Sequence, residues 1–458
     1  MKKTKLVAIL LLIVLTLTLS SCALGDWILG LGSIMKKITK AMDGISSFHM
    51  EGELSFTIYA MGKTVEIDGV MEKIFIEEDD FCFYSSEDVT TNLGKTETKD
   101  STMEAFLDGK YFFEASYNDS TGRFYSEHEQ DVIVEYYKNV LADNGNLLEG
   151  YGNLEHTKND DGTHTVVLSS YDSDTVNSIN TLYGFPLESD GAVVRDCLVT
   201  VQTDKEYRIT RVETEYIFSD TSAQGRQTVR CMSYGNAQMK TDRLAVENYT
   251  KVVDARILPT LSRLLAEKKT QSEGSLTYTD LREATVSTGN SAQVKQMYKV
   301  NYGQGEDGYY FDIDLEADNE QKQLTYAEGV YRVDGEVPEW SRITNDIEAK
   351  ALIYSCIDFC GFHPAMVKDV TVLLDKNGYK SYELTLNEKE SQARAMLTEL
   401  LGSIGLPITC GKNVSFCVVM ENDELKEVSI DVSGTNMQQV SGQLIKIEGS
   451  VYLRVKFH

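Results

Sequence analysis

Hydrophobic and polar positions along the chain follow two alternating periods. Met50, Gly52, Leu54, Phe56 and Ile58 alternate with Glu51, Glu53, Ser55 and Thr57, the period of two that a strand shows when one sheet face meets water. Tyr309, Phe311, Ile313 and Leu315 alternate in the same way with Tyr310, Asp312 and Asp314. Elsewhere the spacing is helical. Ile34, Met35, Ile38 and Met42 share one face of a helix predicted over about 27–45, and Ile257, Leu261, Leu264 and Leu265 share one face of another, with Pro259 tolerated in its first turn. Ile133, Tyr136, Tyr137, Val140 and Leu141 predict a further helix, as do Ile353, Cys356, Ile357 and Cys360. One more is predicted by Ala393, Met396, Leu397, Leu400 and Leu401, with Asn387 as its cap and Gly402 as its stop. Asp108-Gly109, Asp161-Gly162 and Asn377-Gly378 are hairpin signals, and further strands are expected around 193–201, 209–218, 227–233, 414–420, 426–432 and 451–457.

These elements recur in the same order at an offset near 220. Phe106-Leu107-Asp108-Gly109-Lys110-Tyr111 matches Tyr326-Ala327-Glu328-Gly329-Val330-Tyr331, and Asn159-Asp160-Asp161-Gly162 matches Asp375-Lys376-Asn377-Gly378. Tyr183-Gly184-Phe185-Pro186-Leu187 matches Ile404-Gly405-Leu406-Pro407-Ile408, and the stretch Ser47 to Gly52 matches Lys269 to Gly274. The shared order predicts a tandem duplication, with copy one over 30–240, a linker over 241–251 and copy two over 252–458. Each copy is expected to be α+β, a long antiparallel meander with about three helices. So few helices cannot cover both faces, so the sheet should curl, with the helices on its concave apolar side.

The N-terminus sets the expected compartment. Lys2, Lys3 and Lys5 precede an uncharged run from Leu6 to Leu19, too short for a membrane-spanning helix and arranged as a secretory signal. Leu19-Ser20-Ser21-Cys22 then resembles the bacterial lipobox, which implies a signal peptide over 1–21, a lipid on Cys22, and a tether over 22–29 that holds the chain on the extracytoplasmic face of the cell membrane. With 71 Asp plus Glu against 44 Lys plus Arg, the formal charge is −27. That balance excludes nucleic-acid binding through a basic surface, and anionic headgroups would repel the folded part. Seven further cysteines, Cys82, Cys197, Cys231, Cys356, Cys360, Cys410 and Cys417, cannot all pair within one chain. Cys356 and Cys360 lie in the apolar stripe of their predicted helix and read as core packing ahead of a disulfide or a redox pair.

Together, the lipobox at Cys22, the helix leading into Ser47-Phe48-His49-Met50-Glu51-Gly52, and the Asp108-Gly109-Lys110-Tyr111 hairpin followed by Phe124 resemble the LolA/LolB and LppX/LprG-like lipoproteins, twice over. The resemblance implies in each copy a curved half-barrel, capped by helices, that encloses acyl chains. A cavity wall is then expected from Leu54, Phe56, Ile58, Phe311, Ile313 and Leu315, with solid core as the alternative reading of the same side chains.

Signals for chemistry are sparse. The chain contains no Gly-x-Ser-x-Gly, P-loop or His-Glu-x-x-His motif, and no Gly-x-Gly-x-x-Gly placed after a strand. Glu127-His128-Glu129 places neighbours on opposite sides of an extended strand and reads as a solvated loop or helix start rather than a metal site. Asn159 to Gly162 lacks the later ligands of a calcium loop and reads as a turn. His49 reads as a packing or surface residue. The expectation is therefore a surface lipoprotein that carries a lipid or other hydrophobic ligand, with no catalytic residues, no metal and no cofactor. The alternative is a structural or sensory adaptor with filled cores that docks an envelope protein.

Overall fold

In the computed structural model, the described residues are 31–42, 45–60, 63–77, 81–143, 151–172, 194–218, 223–235, 237–269, 273–286, 288–305, 308–317, 320–338, 349, 353, 362–376, 378–387, 393, 414–422 and 424–458. They form two compact units, one ending at Lys251 and one beginning at Val252, with the turn Asp119–Gly122 grouped with the second.

The first unit opens with helix α1 (Leu31–Met42) and continues as strands β1 (Ser47–Ala60), β2 (Lys63–Glu77), β3 (Phe81–Leu93), β4 (Thr96–Leu107), β5 (Lys110–Tyr117) and β6 (Ser120–Glu127). Helix α2 (Gln130–Asp143) precedes β7 (Tyr151–Lys158), β8 (His164–Tyr171), β9 (Val194–Thr203), β10 (Ile209–Phe218) and β11 (Ala223–Tyr234), and the two-residue β12 (Thr250–Lys251) closes the unit. The sheet order is β12-β6-β5-β4-β3-β2-β1-β11-β10-β9-β8-β7, a meander in which the first long strand pairs with the last.

The second unit begins with helix α3 (Ile257–Lys269) and continues as β13 (Gly274–Val286), β14 (Ser291–Gly305), β15 (Gly308–Ala317), β16 (Glu320–Ala327) and β17 (Val330–Val333). After a 3-10 turn at Pro364–Met366 come β18 (Val367–Lys376), β19 (Tyr379–Leu386), β20 (Val414–Glu421), β21 (Glu424–Val440) and β22 (Gln443–Phe457). Its order, β17-β16-β15-β14-β13-β22-β21-β20-β19-β18, has the connectivity of the first sheet without the strands at one edge.

The expected α+β class is not what forms. Among the described residues there are 22 strands and three α-helices, two in the first unit and one in the second, so the chain is mostly β and does not carry about three helices on a concave face of each unit. The cause is strand length. β14, β21 and β22 run for 15, 17 and 15 residues, and the stretches Ser433 to Gln439 in β21 and Thr96 to Thr102 in β4 carry mostly small polar and charged residues on both faces. Such stretches pair fully along the backbone while offering no apolar alternation to read. The helices predicted around Ile353 to Cys360 and Asn387 to Gly402, the Cys356 and Cys360 pair, the Tyr183 to Leu187 and Ile404 to Ile408 match, and the whole segment 1–30 lie outside the described residues, apart from Ile353, Asn387 and Ala393.

Strand register sorts side chains onto two faces. In the first sheet Phe48, Phe56, Phe75, Phe83, Phe106 and Tyr111 occupy one face and are fully buried. Their rings touch in sequence: Phe48 stacks on Phe75 at 5.6 Å, Phe75 meets Phe81 at 5.4 Å, Phe81 meets Phe106 at 5.9 Å, and Tyr111 meets Tyr136 of α2 edge-on at 5.9 Å. On the same side α1 packs against β7, with Ile34, Met35 and Ile38 buried. The opposite face holds a smaller core of Ile74, Tyr84, Met103, Ala105 and Phe112, sealed by Leu244 and Tyr249 from the segment leading to the second unit. Tyr249 packs edge-on against Phe112 at 5.1 Å.

The matched landmarks occupy matching places. Asp108 and Gly109 (φ 51° and 72°) and Glu328 and Gly329 (φ 53° and 73°) form the same two-residue turn, whose left-handed pair suits the twist of a hairpin. Beside it, Phe311, Tyr326 and Tyr331 make the same ring triad as Phe83, Phe106 and Tyr111. One match shifts. Phe48 lies opposite Phe75 and Gly274 opposite Tyr302, so Gly274 takes the place of Phe48 rather than of Gly52. Tyr302 lies over the bare glycine, where an added Cβ would also come within 2.8 Å of the Lys456 carbonyl.

Candidate functional site

All six residues predicted to line a cavity lie on the apolar faces of their sheets. Leu54, Phe56 and Ile58 project from β1 and Phe311, Ile313 and Leu315 from β15, and cross-strand register puts each beside apolar-face neighbours. Phe56, Ile58 and Phe311 are buried, while Leu54, Ile313 and Leu315 are half-buried. Phe56 packs on Tyr216 at 5.1 Å. In the second unit the half-buried end of this face also carries the Tyr278 and Tyr298 rings, 5.6 Å apart. Three of the six belong to the first sheet and three to the second, and each set combines buried with half-buried side chains.

A concavity of about 250 Å³ lies on the other face of the first sheet, across β1, β2 and β3. Its polar lining is Glu51, Glu53, Glu72, Ser86 and Asp88. At its edge His49 and Glu51, two residues apart on β1, project to the same side, and Glu72 lies directly across from Glu51 on β2. The His49 Nε2 is 2.7 Å from Glu72 Oε1 and 3.9 Å from Glu51 Oε1, while the Lys240 ammonium binds the other Glu72 oxygen, Oε2. Burial tends to raise the Glu72 carboxyl, but Lys240 and His49 outweigh it and hold the group below the ordinary glutamate value. Three groups able to ligate a cation therefore converge: one imidazole and two carboxylates, with all donor atoms within 4.8 Å of one another. The sequence reading of His49 as a packing or surface residue missed them, because only strand register brings Glu72 to His49.

A second histidine cluster sits on β7 and β8. His156 Nε2 and His164 Nδ1 are 3.0 Å apart, and the His164 ring stacks on Tyr207 at 4.5 Å. Lys37 of α1 reaches the Tyr207 hydroxyl at 3.3 Å. Burial first, then His156, Lys158 and Lys37, lower the His164 pKa.

The other motifs fall where turns and packing put them. His128 bonds Ser126 Oγ at 2.8 Å and meets Tyr111 edge-on, while Glu127 pairs with Lys251 at 2.9 Å. Asp161 accepts from the Thr163 backbone at 2.9 Å and from its hydroxyl at 2.7 Å within a turn closed by Gly162. Cys82 and Cys197 are buried and Cys417 is half-buried. Burial, with Asp196 beside it, pushes the Cys197 thiol up to about 12, the state of an inert packing cysteine. Among the described residues no helix is long and apolar enough to cross a membrane.

No family model and no curated protein sequence matches the chain. Among solved structures, a LolA superfamily protein from Nitrosomonas europaea aligns with 13% identity over 44% of this chain and 92% of its own, at a TM-score of 0.13. A structure described as an outer membrane lipoprotein-sorting protein domain, from Vibrio parahaemolyticus, aligns with 5% identity over 46% and 94%, at 0.15. A β-barrel-like protein of a domain of unknown function from Brucella abortus aligns with 9% identity over 43% and 100%, at 0.16. At scores this low, the functional reading rests on the chain's own residues.

Proposed function

We propose that the chain binds a hydrophobic ligand of the acyl-chain class against the apolar margins of its sheets, without catalysis, on the outer side of a bacterial membrane to which a lipid on Cys22 ties it. One observation carries the reading. In a chain of formal charge −27, the apolar face of each sheet carries half-buried aliphatic and aromatic side chains, Leu54 in the first and Ile313, Leu315, Tyr278 and Tyr298 in the second. Covering eight methylenes of a ligand there is worth about 6 kcal/mol. The common connectivity, turn and ring triad support a duplication, so that two such margins serve one chain. A fluorescent fatty-acid probe titrated into the full chain tests this reading. Binding is expected in the micromolar range, displaced by unlabelled fatty acid and weakened at least ten-fold by Leu54→Glu or Ile313→Glu with circular dichroism unchanged. Absence of binding, or affinity indifferent to both substitutions, overturns it.

A second reading, an adaptor that docks a partner protein, is favoured by a different observation. The rings from Phe48 to Tyr111 are fully buried, which is how a filled core looks.

A further inference from the structure

We propose that His49, Glu51 and Glu72 form a binding site for a divalent first-row transition metal, with Zn²⁺ as its type, on the polar face of the first sheet, and that Lys240 tunes its affinity. The site is separate from the hydrophobic margin, since its three side chains project from the opposite face of the same strands.

The backbone makes the arrangement. His49 and Glu51 are held on one side of β1 by the pleat, and the β1 to β2 register sets Glu72 against both. Two ligands therefore come from one strand and the third from its neighbour. Metal bonds to imidazole nitrogen and carboxylate oxygen are about 2.0–2.2 Å, so two donors on one ion sit about 3–4 Å apart. The His49 distances of 2.7 and 3.9 Å lie just below and within that span, and small χ rotations centre an ion among the three. One nitrogen and two anionic oxygens are a donor set for Zn²⁺, Co²⁺, Fe²⁺ or Mn²⁺ rather than for Ca²⁺, which takes oxygen alone.

Two features distinguish this cluster from an ordinary acidic patch. First, Glu51 and Glu72 also line the 250 Å³ concavity, which leaves room beside three protein donors for water or an anionic ligand on the ion. Second, Glu72 divides its oxygens. Oε1 faces His49 and Oε2 holds the Lys240 ammonium. A metal on Oε1 is then one carboxylate away from a fixed positive charge, which lowers its affinity by repulsion. Lys240 belongs to the segment whose Leu244 and Tyr249 seal the small core on this same face, so its position is set by packing.

Titration of the purified full chain with Co²⁺, followed by visible absorption, tests the proposal. One Co²⁺ per chain is expected, displaced by Zn²⁺. His49→Ala and Glu51→Gln should each weaken binding at least ten-fold, with circular dichroism unchanged. Lys240→Met should strengthen it several-fold, an effect that a merely structural lysine would not produce. His156→Gln, in the separate histidine pair, should leave the affinity as it is. Binding that is absent, or that survives His49→Ala and Glu51→Gln at full affinity, overturns the proposal. Glu51 is exposed, so its Gln variant removes a donor without opening the core, and unchanged circular dichroism in both variants separates ligation from packing.

Discussion

His164 enters β8 with its ring enclosed by His156 of β7, the Tyr207 ring and, beyond that, Lys37 of α1, and only 5% of its surface is exposed. Those surroundings disfavour the imidazolium form, and Lys158 adds to them. The folded chain therefore takes up this proton at a lower pH than the unfolded chain, whose histidines titrate near 6.5. Between those two points the unfolded state binds more protons, so stability falls as the pH drops below about 6.5 and the loss is complete below the folded value. Thermal melts from pH 7.5 to 5.5 should show a steeper fall in Tm for the natural chain than for His164→Gln. Parallel slopes would contradict this assignment. Neither histidine cluster is legible in the sequence, since His156 and His164 are eight positions apart and Glu72 stands 23 positions from His49. The contacts exist only once hairpin register is fixed, and a single chain specifies register through turns and pairing that leave no local mark on the residues concerned. Glu127-His128-Glu129 and Asn159 to Gly162 fall at a strand end and in a turn, where Glu127 pairs with Lys251 and Asp161 accepts from Thr163.

At the scale of elements, the readable parts are those with strong contrast. The alternation from Met50 to Ile58 and from Tyr309 to Leu315 became β1 and β15 with the predicted faces, and Ile257, Leu261 and Leu264 became the buried stripe of α3. The positive-φ turns at Asp108-Gly109 and Glu328-Gly329 could be read because glycine meets that backbone demand without strain. The polar stretches Thr96 to Thr102 and Ser433 to Gln439 could not, since polar residues on both faces leave backbone pairing as the main reason they are strands. The exchange of Phe48 for Gly274 is another such case, where a cross-strand Tyr302 ring supplies the surface that the glycine lacks. Gly274→Ala should therefore cost the second unit about 2 kcal/mol, the scale of overpacking a filled site, because the new methyl meets the Lys456 carbonyl as well as the Tyr302 ring. Urea unfolding of the full chain, read on the transition of that unit, measures the cost. A loss below about 0.5 kcal/mol, the scale of an ordinary surface substitution, would mean that β13 and β22 move apart freely.

For the molecule as a whole, the order of landmarks pointed to two similar halves, and the two sheets do share one connectivity. The balance of helix and strand was misjudged because amphipathic helices announce themselves while extended polar strands do not. In the first sheet the proposed ligand contact at Leu54 lies on the apolar face, and the His49 cluster lies on the other. Native mass spectrometry of the full chain, with lipid extraction of the same sample, addresses the hydrophobic-ligand reading most directly. A carrier of acyl chains retains a defined adduct of lipid mass, or acquires one on incubation with envelope lipids, and the extract identifies its class. A protein mass that stays bare after that incubation would contradict the carrier function and leave the filled-core adaptor in its place.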